Sequence, residues 1–223
     1  MKTTYKNLYQ LAAKNCGGVE HLEASLPRPL SVKQLAALGD DRYLSMMTRC
    51  VFRAGFVWRV INNKWPGFEE AFSHFNPLAI AHYSDDKLEE LAKDTRIVRN
   101  FTKIVSVRHN AMYVLDKQHS HGSFGQFIAD WSEDDIVGLW LELKKNGSRL
   151  GGNSGPGMLR NMGKDTFILT NDVCHALVNQ GLMKKFSPTA QRDLRLVEDV
   201  FADLRQQSGR SLSELSRMLA FTV

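Results

Sequence analysis

Apolar residues recur every three or four positions along most of the chain, which is the spacing of a helix with one buried face. In residues 44–56 the repeat includes Leu44, Met47 and Val51, and similar stripes run through 101–114 and 194–204. No segment alternates with the two-residue period of a strand, and no internal repeat is present. The pattern predicts an all-α protein with about ten to thirteen short helices.

Local signals predict where several of these helices begin and end. Ser187 precedes Pro188, which suits the first position of a helix, and Gly209 follows the apolar stripe of that segment. Ser211 and Glu214 have the spacing of a capping box, in which each side chain accepts from the other residue's backbone amide. Two C-terminal helices are therefore expected, the first beginning at Pro188 and the second just after Ser211.

A glycine-rich segment lies between two further predicted helices. The stretch DDIVGLWLELKKNG is expected to form a helix that ends at Gly147 in a left-handed conformation. The stretch PGMLRNMG is expected to form a short helix from Pro156 to Gly163, with SRLGGNSG between the two. Residues 134–163 therefore predict a helix, a glycine-rich hairpin and a second helix.

The hairpin carries the chain's excess of positive charge. The net charge is +5; residues 1–143 hold 17 basic and 17 acidic side chains, and residues 144–223 hold 12 and 7. Arg149 and Arg160 flank glycines that let the backbone approach a ligand closely, and the free amides at a helix start favour an anion. A phosphate group is the expected partner, although a charge cluster alone is more often a solvated surface.

Composition excludes several classes of protein. The chain has 223 residues, of which 43% are apolar and 24% charged, as is usual for soluble domains of one or two lobes. No apolar run approaches the length of a membrane span, and the first residues lack the apolar core of a secretory signal. Three cysteines without paired spacing are typical of reduced thiols, so a cytoplasmic location is expected.

The helix, hairpin and helix arrangement resembles the helix-hairpin-helix DNA glycosylases. In that superfamily the hairpin grips a DNA phosphate through backbone amides, and an apolar segment then leads to a catalytic aspartate. The stretch FILTND leads here to Asp172, which the resemblance implies to be the catalytic carboxylate. Aspartate is also a common N-cap, and Asp172 could cap the helix that follows it. The two roles are compatible.

A second resemblance is to the DNA-3-methyladenine glycosylase I family and extends from about Asp41 to Gly163. It rests on the order and spacing of short motifs: AGFVW, FNP, DDKLEEL, IVRN, KI, NA, SFGQFIADW and LKKNG. The family has a glutamate in its base pocket at the position of Cys50. It lacks the aspartate after the hairpin, so the acid is hypothesised to have moved to Asp172. The family's zinc-binding Cys and His residues are also missing, and no metal or other cofactor is expected.

The resemblance implies roles for further residues. Trp58 would stack on a base flipped out of the duplex, with Cys50 and Phe52 as other base-pocket candidates; core packing is the alternative for these aromatic residues. Arg53 would fill the gap left by the base, or it is an ordinary surface arginine. The hairpin residues expected to bind DNA are Arg149, Gly152, Asn153, Ser154, Gly155 and Gly157.

The predicted function is a monofunctional DNA glycosylase that excises alkylated purines similar to 3-methyladenine. Residues 155–158 contain no lysine for a Schiff base, and Lys164 lies past the predicted helix end. The expected partner is double-stranded DNA with a damaged base, bound by a monomer without a nucleotide cofactor or a membrane.

One lobe is predicted from about residues 55–165, including the hairpin at 147–155. The other is predicted from 1–54 and 166–223, the two lobes flanking a DNA-binding cleft. Residues 1–29 fit the family least and could form a separate helical piece with a proline-rich joint at 27–29.

Two alternatives remain open at this point. The first is a non-catalytic helix-hairpin-helix protein that binds DNA lesions or bent DNA. Cys50, in place of the glutamate, supports this alternative, and Asp172 argues against it. The second is a helical protein that binds another partner and uses the hairpin only as a tight turn. The basic excess at residues 144–160 argues against this alternative. A salt-dependent affinity for DNA would separate this second alternative from the other two.

Overall fold

The protein is all-helical, as predicted, in a computed structural model that describes residues 4–223. Within that range the chain forms fifteen α-helices and two short 3-10 helices and has no β-strand. The α-helices are α1 Tyr5–Asn15, α2 Val19–Ser25, α3 Val32–Ala36, α4 Asp40–Arg53, α5 Trp58–Asn63, α6 Trp65–Ala71, α7 Pro77–Ala81, α8 Asp85–Leu91, α9 Phe101–His121, α10 Phe124–Asp130, α11 Ile136–Asn146, α12 Ser154–Met162, α13 Asn171–Asn179, α14 Gln191–Ser208 and α15 Leu212–Ala220. The 3-10 helices are Ser73–Phe75 and Glu133–Asp135.

The helices are more numerous than predicted because breaks divide some long apolar stripes. The apolar repeat over residues 44–56 is interrupted after Arg53, and Gly55 has a φ of 73°. Such a left-handed residue cannot continue a right-handed helix, so α4 and α5 are separate. The first C-terminal helix also begins later than predicted, at Gln191. The Ser187 amide instead donates to the Asp193 carboxylate within a turn that precedes the helix.

The chain divides into two compact units. Unit 1 comprises residues 1–30, 132–139 and 163–223, and unit 2 comprises 31–131 and 140–162. The sequence-based division had placed residues 31–54 with the C-terminal helices, whereas the structure groups them with the hairpin. The reason is that the apolar face of α4, which lies in this segment, packs against α9 and α12. The proline-rich joint at 27–29 lies next to the boundary between Leu30 and Ser31.

Helix α9 is the central element of unit 2. It begins at Asn100, whose side chain accepts from the Lys103 amide, and it ends at Gly122, where φ is 86°. Its buried stripe of Ile104, Val107 and other apolar residues contacts α4, α7, α8 and α10. Burial of this stripe supplies much of the apolar area that stabilises the unit.

Stacked aromatic rings fill the core of unit 2 beside α4. The Trp65 ring lies 5.0 Å from that of Phe68 and 5.6 Å from that of Phe75, nearly parallel to both. Phe52 meets Phe68 edge to face at 4.7 Å. These offset and edge-on arrangements are the favourable geometries for aromatic pairs, so the cluster fixes the direction in which α4 leaves the core.

In unit 1, helix α15 holds an extended segment that leads to α13. The hydroxyls of Ser213 and Ser216, both buried, accept from the amides of Thr166 and Ile168 and donate to the carbonyl oxygens of the same two residues. The Asp165 carboxylate accepts from the amides of Leu212 and Ser213 at 2.9 and 2.8 Å. Side chains therefore satisfy the polar backbone groups of the segment and the start of α15 together.

The N-terminal helices α1 and α2 belong to unit 1 and do not form a separate piece. The guanidinium of Arg210 donates to the Tyr5 hydroxyl on α1 and to the Glu23 carboxylate on α2. Tyr9 also donates to Glu23, and α1 packs against α14 and α15. This shared network attaches the N-terminal helices to the C-terminal ones.

We expect Asp165→Ala to lower the free energy of unfolding by about 1–3 kcal/mol, because it leaves two buried amides at the start of α15 without an acceptor. Urea unfolding followed by circular dichroism measures this change. Asp199→Ala, at an exposed position of α14, is the matched control and should change stability by less than about 0.5 kcal/mol. Equal effects of the two variants would contradict the assigned role of Asp165.

Candidate nucleic-acid interface

The hairpin between α11 and α12 is anchored in unit 2 by one apolar and one polar contact. Leu150, at its centre, is 1% exposed. The side-chain oxygen of Asn110, buried in the middle of α9, accepts from the Ser148 amide at 2.7 Å. The amide nitrogen of Asn110 donates to the Ser148 carbonyl oxygen at 3.1 Å. The same side chain thus satisfies both polar backbone groups of Ser148 and fixes where the hairpin begins.

The left-handed residues of the hairpin differ from the prediction. Gly147 is not left-handed; glycine is needed there because a Cβ would lie 2.7 Å from the Leu143 carbonyl oxygen. The left-handed positions are Arg149, with a φ of 62°, and Gly152, with a φ of 58°. An arginine in this conformation is strained by roughly 1–2 kcal/mol, and such strain is concentrated at functional sites.

The amides available to an anion lie in the hairpin turn and not at the start of α12. The predicted donors Ser154, Gly155 and Gly157 already donate to the carbonyl oxygens of Gly151, Leu150 and Asn153. Helix α12 begins two residues before Pro156, which has no amide hydrogen, so its first turn offers no donor there. By contrast, the Gly151 and Gly152 amides have no acceptor within residues 4–223.

This turn is electropositive. Lys144, Lys145 and Arg149 are exposed, and none of them forms an ion pair within the described part of the chain. No acidic residue occurs from Lys144 to Arg160. Open amides beside unneutralised cations provide both the directional donors and the charge that a phosphate group requires.

A second exposed feature of unit 2, residues 54–60, is named here the apolar tip. All seven of its residues are exposed, including Phe56 at 42%, Val57 at 65% and Trp58 at 62%. Such a continuous run of exposed large apolar side chains is unusual for a soluble domain and marks a surface that contacts a partner or ligand.

Helix α9 contacts both the apolar tip and the hairpin. The buried ammonium of Lys103 donates to the carbonyl oxygens of Phe52 and Ala54 at 3.2 and 2.6 Å, and it lies 4.9 Å from the centre of the Phe56 ring. Burial, together with the charge of Arg149, lowers the pKa of Lys103. Asn110, which holds the hairpin, lies two turns further along the same face of α9, so one helix of unit 2 positions both features.

The structure separates the residues predicted to bind the base. Phe52 is fully buried in the aromatic core, so the prediction that its ring stacks on the base is wrong. Trp58 is exposed at the first turn of α5, and the Arg53 guanidinium lies 5.1 Å from the centre of its ring. Arg53 also donates to the Asn62 side chain at 2.6 Å. Of the two aromatic candidates, only Trp58 remains available for stacking.

Cys50 lies on the face of α4 that packs against α12. A Cβ added to Gly157 would lie 4.0 Å from the Cys50 sulfur. Burial raises the pKa of the Cys50 thiol to about 11, although the charges of Arg53 and Arg49 act in the opposite direction. The thiol is therefore neutral near pH 7 and cannot replace the negative charge of a glutamate at this position.

Asp172 lies in unit 1, at the second position of α13. The N-cap of α13 is Thr170, whose hydroxyl accepts from the Val173 amide at 3.2 Å, so the N-cap role considered for Asp172 is wrong. The Asp172 side chain is exposed and has no hydrogen-bond or ion-pair partner among residues 4–223. Its backbone is held in place, because Thr170 follows the extended segment fixed to α15. The carboxylate is thus carried by a fixed segment of backbone and has no interaction partner among residues 4–223.

Sequence reasoning missed four residues that build these sites. Lys103 and Asn110 are buried polar residues within the apolar stripe of α9, and Ser213 and Ser216 are buried on α15. The signal in the sequence was a polar residue at a position where helical spacing predicts burial. Such a residue needs a hydrogen-bond partner. For these four residues the partner is a backbone group at the end of α4, in the hairpin or in the extended segment that leads to α13.

Two absences apply to the described residues. Residues 4–223 contain no group of three or more His, Cys, Asp or Glu side chains placed to share a metal ion. None of their helices combines the length and apolar character needed to cross a bilayer.

Solved structures with the same fold are helical DNA glycosylases. A 3-methyladenine DNA glycosylase I from Staphylococcus aureus matches 62% of this chain and 80% of its own, with 22% identity and a TM-score of 0.52. An 8-oxoguanine glycosylase/lyase from Methanocaldococcus jannaschii, solved in complex with a 15mer DNA containing 8-oxoguanine, matches 96% of this chain and 95% of its own. Its identity is 14% and its TM-score 0.57. The fold and the hairpin thus define the class of helix-hairpin-helix DNA glycosylases.

Within this class the family is also defined. The family model for methyladenine glycosylases matches residues 35–149, about half of the chain, and the protein belongs to that family. The DNA-3-methyladenine glycosylase 1 of Escherichia coli (strain K12) is 28% identical over 80 residues. That match covers 36% of this chain and 42% of the relative, so the chain spans less than half the length of this curated protein.

We expect Arg149→Gly to weaken binding to duplex DNA without destabilising the protein. The variant loses one cation but accommodates the positive φ without strain. In a plot of log affinity against log salt the slope should fall by about 0.9, the value for one lost phosphate contact. Fluorescence anisotropy measures the affinity, and thermal unfolding measures the stability.

Arg149→Lys is the matched control, because it keeps the charge and should keep the salt slope. Unchanged affinity of the glycine variant at every salt concentration would show that the hairpin cation does not contact DNA.

Proposed function

We propose that this protein is a monofunctional DNA glycosylase that hydrolyses the N-glycosidic bond of an alkylated purine flipped out of double-stranded DNA. The observation that carries the proposal is that helix α9 of unit 2 holds both the hairpin, with its open amides and unneutralised cations, and the end of α4 that leads into the exposed apolar tip. Family membership and the exposed, uncommitted Asp172 support the catalytic part.

Binding to DNA would begin at the hairpin. A phosphate oxygen accepts from the Gly151 and Gly152 amides, and Arg149 adds a cation beside them. Contacts of this kind hold the duplex in register without reading its sequence. They suit an enzyme that must examine many sites for a rare damaged base.

The apolar tip would act on the damaged nucleotide. A base inside the duplex is out of reach, so the enzyme must flip the nucleotide, and a flipped purine needs an aromatic face on which to stack. Trp58 offers an exposed indole, and Phe56 offers an exposed phenyl ring held by Lys103. If these rings contacted only water, their exposure would serve no function. Exposed apolar side chains grouped in this way mark a surface that binds a partner or ligand.

The chemistry assigned to Asp172 is electrostatic and general-base catalysis. As the bond between C1′ and the purine nitrogen breaks, positive charge develops on the sugar, and a carboxylate stabilises that charge. A water molecule attacks C1′ and gives up its proton to the carboxylate or to solvent, while the bonding electron pair leaves with the base. An alkylated purine that is already cationic leaves as a neutral base, so no separate acid is required.

The reaction would stop at the abasic site. Strand cleavage by a glycosylase of this class requires an amine that forms a Schiff base with C1′. Residues 155–158 are Gly, Pro, Gly and Met, and the nearby Lys164 is 2% exposed. A buried ammonium of this kind is unsuited to attack a sugar carbon.

The proposal includes the partners predicted from the sequence: double-stranded DNA with a damaged base, bound by a monomer in the cytoplasm. The competing function is a non-catalytic protein that binds DNA lesions, which the neutral thiol of Cys50 favours. Both functions require salt-dependent DNA binding, and only the glycosylase releases a free base.

We expect the wild-type protein to release 3-methyladenine or 7-methylguanine from heavily methylated duplex DNA, and Asp172→Asn to slow that release by about 100-fold or more. Asparagine keeps the size of the side chain but removes the charge that stabilises the transition state. Mass spectrometry of the released bases under single-turnover conditions measures both rates.

Asp199→Asn is the control for loss of a surface carboxylate and should release bases at the wild-type rate. If wild type binds the duplex yet releases no base, the lesion-binding function replaces the glycosylase. If Asp172→Asn is as fast as wild type, another group must supply the charge.

A further inference from the structure

Two arginines near the end of α4 share an unusual environment. Arg49 and Arg53 are one helical turn apart, so their side chains emerge on the same face. The Arg49 guanidinium lies 4.9 Å from the centre of the Trp65 ring, and that of Arg53 lies 5.1 Å from the centre of the Trp58 ring. Stacking on an indole restricts a guanidinium to one plane and so fixes the direction of its donors.

Neither arginine has a carboxylate partner within residues 4–223. Elsewhere in the protein, arginines such as Arg42, Arg195 and Arg210 pair with glutamates or aspartates. Arg53 donates only to the neutral Asn62 side chain, and Arg49 has no hydrogen bond within that range. Two positive charges thus lie on one face of the helix without an ion pair in the described part of the chain, and the only carboxylate there with a Coulombic effect on Arg49 is the more distant Glu69.

Both arginines also have a buried donor that is unsatisfied. The Nε atoms of Arg49 and Arg53 are shielded from solvent and have no acceptor among the described residues. Removing a charged donor from water without an acceptor is unfavourable, and a folded protein rarely retains such a group without a function. Burial and the adjacent charge of Arg53 lower the pKa of Arg49, in keeping with two cations held close together.

The fold explains part of this arrangement. Cations near the C-terminus of a helix interact favourably with the helix dipole, and α4 ends at Arg53. The dipole does not account for two arginines one turn apart that each lie over a tryptophan ring and have no carboxylate partner within residues 4–223. What the pair lacks is an anion with several oxygen atoms, because each guanidinium still has unused donors.

We propose that Arg49 and Arg53 form a two-arginine clamp for one phosphodiester group of a DNA strand bound beside the apolar tip. The clamp is distinct from the hairpin, whose amides and Arg149 would hold another phosphate. A planar guanidinium matches the oxygen pair of a phosphodiester, and Arg53 directly precedes the tip. The inference rests on the proposed function only in taking DNA as the ligand, and it does not require base release.

A phosphate group and the edge of a flipped base both offer acceptor atoms that the two guanidinium groups could bind. Salt dependence distinguishes the two sources. A phosphate contact releases counterions and contributes about 0.9 to the slope of log affinity against log salt, whereas a contact to a neutral base edge does not. A phosphate contact also acts on undamaged DNA.

The experiment measures binding of a fluorescent, undamaged duplex, and of the same duplex with one methylated purine, by anisotropy from low to moderate salt. The proteins are wild type, Arg49→Met, Arg53→Met, the double variant Arg49→Met/Arg53→Met, and Arg49→Lys. We expect each single methionine variant to bind less tightly, and the double variant, which loses the whole contact to one phosphate, to lower the slope by about 0.9. Arg49→Lys should keep the slope and lose affinity several-fold, because an ammonium lacks the planar pair of donors.

Arg217→Met is the matched control. Arg217 is exposed, has no ion pair within residues 4–223 and lies 4.5 Å from the centre of the Phe221 ring, but it belongs to unit 1 and not to the unit that contains the tip. The control removes the same charge from a stacked arginine and should leave the slope unchanged. Circular dichroism verifies that each variant is folded, and Arg53→Met and Arg49→Lys test the clamp if Arg49→Met does not fold.

Two results would overturn the clamp. One is a wild-type slope in every folded methionine variant, including the double variant. The other is an effect confined to duplexes with a damaged base at constant slope, which would assign the arginines to the base edge. The test is independent of catalysis: if wild type releases no base but the slopes still fall, the clamp is retained and the glycosylase function is lost. If Asp172→Asn abolishes base release while the arginine variants keep the wild-type slope, the glycosylase function is retained and the clamp is lost.

Discussion

The ammonium group of Lys103 ends helix α4 by donating to two carbonyl oxygens that the helix leaves unsatisfied. After this contact the chain turns away at Gly55, and the seven residues 54–60 are exposed to solvent. The same group lies 4.9 Å from the centre of the Phe56 ring. The end of α4, where Arg53 lies, and the apolar tip that follows it therefore depend on one buried cation.

A second constraint is that the hairpin and the extended segment before Asp172 are held by polar contacts with central helices. Asn110 fixes the start of the hairpin from α9, and two serines fix the extended segment from α15. Buried hydrogen bonds specify a position more sharply than apolar packing, which tolerates small shifts. The apolar cores stabilise the two units, and these few polar side chains determine where the functional backbone lies.

Much of this fold could be predicted from the sequence, since helical spacing, the capping box at Ser211 and Gly209 as a left-handed end all hold in the structure. The hairpin could also be predicted. The sequence does not show which of its amides are free, because that depends on which carbonyl oxygens lie near each amide in the folded turn. Phe52 shows a second limit: spacing places an aromatic residue on a helix face without saying whether that face is buried. Lys103 shows a third, since its partners lie about fifty residues away in the sequence.

The serine contacts of α15 have a consequence for how the length of the chain can vary. Ser213 and Ser216 are three residues apart on a helix, and each pairs with both polar groups of a residue in an extended segment, Thr166 or Ile168. One inserted residue between Ile168 and Asp172 would displace the carboxylate by about 3.3 Å and reverse the side of the segment on which the following residues emerge. Substitutions can be absorbed at these positions, but insertions and deletions cannot, so the four-residue spacing should be the most strictly fixed length in the protein.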